Sequence, residues 1–177
     1  MKTAEIIILI LFTLVNIWFN WWISLREKRF HGIYRFISFE SIFLLLLLNY
    51  PVWFKDLFSP LQIISWSVMT LALLIAAWGF YIFYSRGKPE DHMEKTTELI
   101  TTSIYKYIRH PLYLSLILLG FGAMIKDPRL LQVVIALMNF AAMFLTARVE
   151  EKEMIARFGP DYNEYMQKSK MFFPFIL

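Results

Sequence analysis

Five apolar segments alternate with polar, charged connections along this chain of 177 residues. They cover residues 5–25, 36–54, 61–84, 111–125 and 130–145, and the last two are short for a bilayer crossing, which takes roughly 20 residues. The pattern predicts an all-α integral membrane protein with about five transmembrane helices and a carboxyl-terminal cytoplasmic helical tail. We expect a single membrane domain over 1–177, with three transmembrane helices in 1–84 and a helical hairpin and tail in 85–177.

The connection between the fourth and fifth segments is a tight turn over residues 126–129, in which Pro128 has the backbone angle that a turn needs. Helices joined so closely run antiparallel, so the start of one lies beside the end of the other. We expect both helices to extend beyond their apolar parts, through Ile108 on one side and Val149 on the other.

The sequence predicts the structure of the remaining connections less sharply. Residues 99–108 are amphipathic and are expected to lie along the membrane interface. The tail is predicted to be helical to about Phe158, to stop at Gly159 and Pro160, and to resume as a short helix from Asp161. The final residues, 171–177, are expected to return to the membrane surface.

Composition and charge exclude several classes of protein and of site. Hydrophobic residues make up 58% of the chain, which is far from the balance of a soluble domain. Cysteine is absent, which excludes disulfides, thiolate metal sites and a cysteine nucleophile. The net charge of +4 is modest and spread over several connections, so we expect no nucleic-acid partner.

The distribution of basic residues predicts the orientation. All but four of the 18 lysines and arginines lie in 26–35, in 85–110 or after residue 145. The positive-inside rule places these connections in the cytoplasm, with the amino terminus outside. The first apolar run has no cleavage site after it and is interpreted as a retained helix rather than a secretory signal.

Isolated polar residues within or near the apolar segments are interpreted as structural. Glu40 lies five residues from Arg35 and is expected to snorkel to the membrane rim, although a functional intramembrane carboxylate is the alternative. His31 and His92 lie in polar connections without a second ligand at metal spacing, so we expect no metal site. Three asparagines are expected to form interhelical hydrogen bonds: Asn16, Asn20 and Asn139.

The most informative stretch is the Arg-His-Pro sequence that opens the fourth segment. Pro111 fits the first turn of a helix, which places Arg109 and His110 at the cytoplasmic rim. Rim residues of these types are common, and a structural role explains them: Arg109 snorkels, His110 caps the helix and Tyr113 joins an aromatic belt.

A second charged cluster, Glu150 and Glu151, follows the fifth segment on the same side. The hairpin brings it beside Arg109 and His110. Solvation of a helix face would explain the glutamates alone, but it does not explain why both clusters flank one hairpin. Convergence of acidic, basic and aromatic groups indicates a functional site.

These motifs resemble a known family. The stretch TTELITTSIYKYIRHPLY, then the hairpin, EE, FG, DY, EY and FFPF are similar to the carboxyl-terminal half of the isoprenylcysteine carboxyl methyltransferase and phospholipid methyltransferase superfamily. The resemblance covers residues 96–175. It implies an integral-membrane methyltransferase that uses S-adenosylmethionine and acts on a lipophilic small-molecule or lipid acceptor, with membrane lipids as further partners and 85–177 as the cofactor-binding half. Phospholipid N-methylation, or a noncatalytic membrane protein that retains the fold, is the alternative.

The resemblance also implies the site residues. The catalytic candidates are His110, Tyr113, Glu150 and Arg109. The cofactor-binding candidates share the cytoplasmic rim and are Thr97, Glu98, Leu99, Ile100, Tyr105, His110, Pro111, Leu112, Tyr113 and Glu150.

Two positions depart from the family pattern. Ser103 and Ile104 stand where the family often has Gly-Pro or Gly-Ile, and serine is small enough to keep the turn. Thr146 stands where the prenylcysteine enzymes have an arginine associated with the substrate carboxylate, and Arg148 lies on another helix face. The resemblance therefore specifies neither a prenylcysteine acceptor nor an oligomeric state.

Overall fold

A computed structural model of the chain describes residues 3–24, 26, 31–87 and 98–174. Within these residues the secondary structure is helical, apart from a single isolated bridge between Ile108 and Lys170. The six α-helices are α1 (Thr3–Ile23), α2 (His31–Leu48), α3 (Pro60–Gly87), α4 (Pro111–Ile125), α5 (Leu130–Phe158) and α6 (Pro160–Lys168).

Four of these helices, α1, α2, α3 and α5, are long and apolar enough to cross a membrane. Helix α4 is apolar but has 15 residues, which gives a length of about 22 Å against roughly 30 Å for the hydrocarbon layer. The protein is therefore a multi-pass membrane protein, and the predicted fold class is confirmed.

Close helix packing depends on small residues in α4. A methyl group on Gly120 would come within 2.3 Å of Nδ2 of Asn139 on α5, and one on Gly122 would come within 2.5 Å of Met69 on α3. In lipid there is little hydrophobic drive between helices, so close approach and interhelical hydrogen bonds hold the bundle together. The short α4 thus packs between α3 and α5 and forms the expected hairpin with α5.

The asparagines connect helices as predicted. Asn139 accepts a hydrogen bond from Ser38 of α2 (2.5 Å) and donates one to the carbonyl of Leu116 (3.0 Å). Asn16 donates to Oε1 of Glu40 (3.2 Å), so the expectation that Glu40 snorkels is wrong: its carboxylate faces α1. Asn16 and Asn20 are the buried residues of α1, whose apolar side chains face outward.

The tail follows its prediction closely. Helix α5 continues well past its apolar part to Phe158. Gly159 adopts a positive φ of 55°, which glycine tolerates, and α6 begins at Pro160.

The segment before α4 was predicted wrongly. The expected extension of α4 back through Ile108 is wrong, because α4 begins at Pro111. A four-residue 3-10 turn at Ser103–Lys106 replaces it, because Ser103 has a left-handed backbone with φ of 58° that interrupts a helix. Nonhelical backbone at such a position must be buried in protein or line a cavity, and Tyr105 and Ile108 are indeed buried.

The end of the chain also departs from its prediction. Met171 and Phe172 do not lie on the membrane surface but are buried in the core formed with α4 and α5. Phe173 and Pro174 are exposed, and residues 175–177 lie outside the described residues.

Candidate functional site

The two charged clusters meet at the polar end of the bundle, as the hairpin predicted. Nε of Arg109 lies 2.7 Å from Oε1 of Glu151. The ring of His110 lies between the two glutamates, with Nδ1 3.6 Å from Glu150 and Nε2 3.5 Å from Glu151. His110 occupies the N-cap position of α4, but its side chain makes no capping hydrogen bond, so the capping interpretation is wrong.

The carboxyl-terminal segment holds this cluster in place. The backbone N–H groups of Arg109 and His110 donate to the carbonyls of Lys170 (2.8 Å) and Met171 (3.1 Å). The guanidinium of Arg109 also donates to the carbonyl of Ser169. Arg109 therefore links the carboxyl-terminal segment to α5 through Glu151. These contacts explain the position of the Arg109 side chain better than snorkelling does.

His110 is nearly fully buried, and two aromatic rings surround it. Tyr113 stacks on its imidazole at 5.4 Å and 8°, and Phe172 lies 6.2 Å away. Burial alone would lower the pKa of His110, but the adjacent carboxylates of Glu150 and Glu151 outweigh it and raise that pKa above its ordinary value. The two carboxylates therefore favour the protonated form of His110.

A small polar cavity of about 70 Å³ opens beside this cluster. Carboxylates from two distant positions, Glu98 and Glu150, face it, together with His110. Its remaining lining residues are largely apolar or aromatic: Phe83, Leu99, Ile100, Tyr105, Arg109, Met154, Phe158, Tyr162 and Tyr165.

A larger apolar cavity of about 390 Å³ lies among α1, α2, α3 and α4. Its polar side chains include Arg35 and Ser115. Apolar and aromatic residues form most of its wall: Phe19, Ile23, Phe39, Ala76, Phe80, Pro111, Leu112, Tyr113 and Leu116.

The two cavities share part of their wall. Five residues line both, and they are Phe83, Tyr105, Arg109, His110 and Glu150. A ligand in the polar cavity and a ligand in the apolar cavity would therefore meet at the His110–Glu150 pair.

Three tyrosines support the polar cavity. The hydroxyl of Tyr165 donates to the carbonyl of Tyr105 (2.6 Å), which joins α6 to the segment before α4. Burial raises the pKa of Tyr105, Tyr162 and Tyr165 well above the ordinary value, so all three remain protonated. Their hydroxyls are hydrogen-bonding groups rather than bases.

The predicted cofactor residues divide between the cavities. Glu98, Leu99 and Ile100 line the polar cavity, whereas Pro111, Leu112 and Tyr113 line the apolar one, and Tyr105, His110 and Glu150 line both. Thr97 lies outside the described residues. The roles of these residues remain predictions.

Sequence reasoning missed several lining residues. Arg35 and Phe83 lie on helices outside the recognised motif, and Met154 lies between its EE and FG positions, where no local spacing marks it. For Tyr162 and Tyr165 the sequence allows two roles, lining the mouth of a pocket or anchoring the tail at the membrane surface, and the structure buries both against the cavity. Their spacing of three residues on a short helix was the available signal.

His31 is placed differently from the prediction. It begins α2 rather than lying in a polar connection, and its buried Nδ1 is 3.4 Å from Oε1 of Glu153. Residues 3–24, 26, 31–87 and 98–174 contain no group of three side chains that could hold a metal ion. His92 lies outside those ranges.

Comparisons with known proteins identify relatives. A protein-S-isoprenylcysteine O-methyltransferase of Saccharomyces cerevisiae is 31% identical over 68% of this chain and 56% of its own. A methanethiol S-methyltransferase of Bradyrhizobium diazoefficiens is 24% identical over 88% of this chain and 58% of its own. A nickel-cobalt-cadmium resistance protein of Alcaligenes xylosoxydans xylosoxydans is 34% identical over 45% and 38%. This chain thus spans about half the length, or less, of these relatives.

No solved structure matches the chain. The model of the phospholipid methyltransferase family matches residues 61–161, which is more than half of the chain and includes both charged clusters. The chain therefore belongs to the phospholipid methyltransferase family.

Proposed function

We propose that this protein is an integral-membrane methyltransferase that uses S-adenosylmethionine and methylates a lipophilic acceptor. The observation that carries the proposal is the shared wall of the two cavities at His110 and Glu150. A transfer between a polar donor and an apolar acceptor needs such a meeting point, since alignment of the reactants is the main task. Membership of the family supports the same activity.

The residues of the polar cavity fit the charged end of S-adenosylmethionine. Glu98 and Glu150 supply carboxylates for its cationic groups, and the tyrosines supply hydrogen bonds and flat apolar surface. A cavity of about 70 Å³ is small beside the roughly 300–1,000 Å³ of typical ligand sites, so it matches part of the molecule only. When bound, S-adenosylmethionine supplies an electrophilic methyl group on a sulfonium.

The protein then has three tasks. Burial of His110 and the apolar wall around it exclude water from the meeting point. Glu150 places a carboxylate there, 3.6 Å from Nδ1 of His110. A carboxylate or thiolate acceptor loses no proton, whereas an ammonium acceptor must give one up, and Glu150 is positioned to take it.

We further propose that the polar end of the bundle faces the cytoplasm and that the acceptor enters from the bilayer. Two features support this: the excess of lysine and arginine at this end, and the apolar wall of the larger cavity. The cofactor then enters from the aqueous side.

A second candidate is phospholipid N-methylation, which shares its name with the matching family but is not favoured by the relatives named for isoprenylcysteine and methanethiol. Both candidates use the same cavities and differ in the acceptor atom. Analysis of extracted lipids for methylated headgroups separates them.

The test is a calorimetric titration of detergent-purified protein with S-adenosylmethionine. We expect Glu150→Gln and His110→Gln to weaken binding about tenfold or more, because each removes a charged contact. Glu164→Gln is the matched control, since Glu164 is exposed and pairs with Lys168 on α6. No measurable binding to the wild type, or unchanged binding to both site variants, would contradict the proposal.

A further inference from the structure

The polar cavity is too small for the whole of the cofactor that we propose for it. Its volume is about 70 Å³, whereas sites for small-molecule ligands typically measure roughly 300–1,000 Å³. Binding of the whole S-adenosylmethionine molecule therefore requires part of the cavity wall to move outward.

Several parts of this wall are firmly packed. The imidazole of His110 is buried against the rings of Tyr113 and Phe172. Glu150 lies on α5, which packs against both α2 and α4. On α6, Tyr162 is buried as well. Protein interiors are close-packed, so these parts of the wall cannot move without disturbing the helix bundle.

The segment before α4 is fixed from Tyr105 onward. Tyr105 is buried, and its carbonyl accepts a hydrogen bond from the hydroxyl of Tyr165 (2.6 Å). The carbonyl of Tyr107 accepts one from the backbone N–H of Lys170 (3.0 Å), and Ile108 forms the isolated bridge with that residue. Movement here would break these hydrogen bonds and leave buried backbone groups unpaired.

Residues 98–102, which we call the strap, lie at the surface and outside the helices. Their side chains are exposed or half-buried, and three of them line the polar cavity: Glu98, Leu99 and Ile100. A surface segment that buries little apolar side chain opens at a lower free energy than a packed helix does. The strap is therefore the part of the wall that can move.

Hydrogen bonds to α3 attach the end of the strap. Nη1 of Arg86 donates to the hydroxyl of Thr102 (2.7 Å), and the indole N–H of Trp78 donates to the hydroxyl of Ser103 (3.0 Å). Both bonds lie in exposed surroundings, where water competes for the same groups. The positive φ of 58° at Ser103 turns the chain between the strap and the fixed part.

We propose that the strap is a lid, which turns outward at Ser103 when S-adenosylmethionine enters and then covers the bound cofactor with Leu99 and Ile100. The inference rests on the proposed function and adds the route by which the cofactor reaches the site. The cluster of His110 and Glu150 keeps its geometry during this movement, because the chain from Tyr105 onward stays fixed.

The first part of the test measures the movement. The chain contains no cysteine, so spin labels can be attached to pairs of introduced cysteines alone. The pair Thr101→Cys and Gln167→Cys reports the distance from the strap to α6, and its positions are exposed. The control pair is Tyr107→Cys and Gln167→Cys, because Tyr107 is exposed but lies in the fixed part.

Electron paramagnetic resonance in nanodiscs gives both distances, without and with saturating S-adenosylmethionine. We expect the strap distance to lengthen by several ångström when S-adenosylmethionine binds, and the control distance to stay the same. An unchanged strap distance in protein that binds S-adenosylmethionine, or an equal change in the control pair, would overturn the proposal.

The second part weakens the attachment to α3. Thr102→Val keeps the shape of the side chain but removes the acceptor for Arg86, so we expect S-adenosylmethionine to associate about threefold faster. Surface plasmon resonance on immobilised nanodiscs measures this rate. Thr101→Val is the matched control, because Thr101 is exposed and forms no hydrogen bond in the part of the chain that the structure describes. Equal rates in Thr102→Val and Thr101→Val would contradict the attachment.

Binding of S-adenosylmethionine separates the two proposals. If the wild type does not bind it, the proposed function fails as well. If the wild type binds it but neither the strap distance nor the association rate of Thr102→Val changes, this inference fails while the proposed function stands.

Discussion

Ser103 shows how one residue shapes the site. Its left-handed backbone turns the chain between Leu99 and Tyr105, so that both reach the polar cavity. The sequence comparison already marked the position, because the family often has glycine there. The strain at Ser103 is offset by a hydrogen bond that its hydroxyl accepts from the indole N–H of Trp78 (3.0 Å).

The first prediction compares two variants of Ser103. Both Ser103→Gly and Ser103→Ala lose the hydroxyl, but only glycine relieves the positive φ. We expect the glycine variant to be more stable than the alanine variant by about 1 kcal/mol. Thermal unfolding of the two purified proteins measures the difference. A more stable alanine variant would contradict the left-handed backbone at position 103.

The second prediction concerns the proton on His110. The pKa of His110 is raised in the folded protein, so its proton stabilises the fold fully below the ordinary pKa of about 6.5. That contribution is lost as the pH rises through the raised pKa. We expect the unfolding temperature to fall over this range in the wild type and to fall less in His110→Gln. Parallel profiles for the two proteins would show that His110 does not hold the proton.

At the scale of elements, the carboxyl-terminal segment is as much a part of the site as α4. Its backbone accepts hydrogen bonds from Arg109 and His110, and Phe172 packs behind the imidazole. The apolar character of the segment suggested a membrane surface instead. Membrane proteins expose apolar residues to lipid, so apolarity alone does not distinguish a buried residue from an exposed one.

The third prediction tests the segment with adjacent residues. Phe172 is fully buried, whereas Phe173 is 36% exposed. Phe172→Ala should destabilise the protein by about 3–5 kcal/mol and weaken binding of S-adenosylmethionine, because it leaves a cavity beside His110. Phe173→Ala should do much less of both. Equal effects of the two variants on thermal unfolding and on calorimetric binding would contradict the buried position of Phe172 beside His110.

The helices themselves could be predicted from the sequence because long apolar runs and strong breakers define them. Gly159 and Pro160 ended α5 within one residue of the expected position. The segment 99–108 could not be predicted, because its apolar spacing suits a helix while Ser103 and the pairing with Lys170 do not. That pairing joins residues more than sixty positions apart, which no local pattern contains.

At the scale of the whole molecule, two parts of the chain build the site. The motif half, from Glu98 onward, brings the charged cluster together through the α4–α5 hairpin, and the sequence predicted this. The resemblance found in the sequence began at residue 96 and left out the first three helices, yet α1, α2 and α3 provide much of the apolar cavity. Their contribution depends on packing between helices, which apolar runs do not specify.

This division suggests where specificity resides. The polar cavity is lined mainly by residues of the family motif, whereas α1, α2 and α3 provide much of the wall of the apolar cavity. Relatives named for isoprenylcysteine and for methanethiol differ in the acceptor that their names state. Variation in the first helices would change the acceptor without disturbing the charged cluster.

The most direct test of the central claim is methyl transfer in membranes that contain this protein. Membranes with the wild type or with Glu150→Gln are incubated with S-adenosylmethionine labelled in its methyl group, and the organic extract is analysed for label. We expect label in a lipophilic product with the wild type, and a loss of about tenfold or more with Glu150→Gln. Label absent from the wild-type extract, or equal in both, would contradict the account.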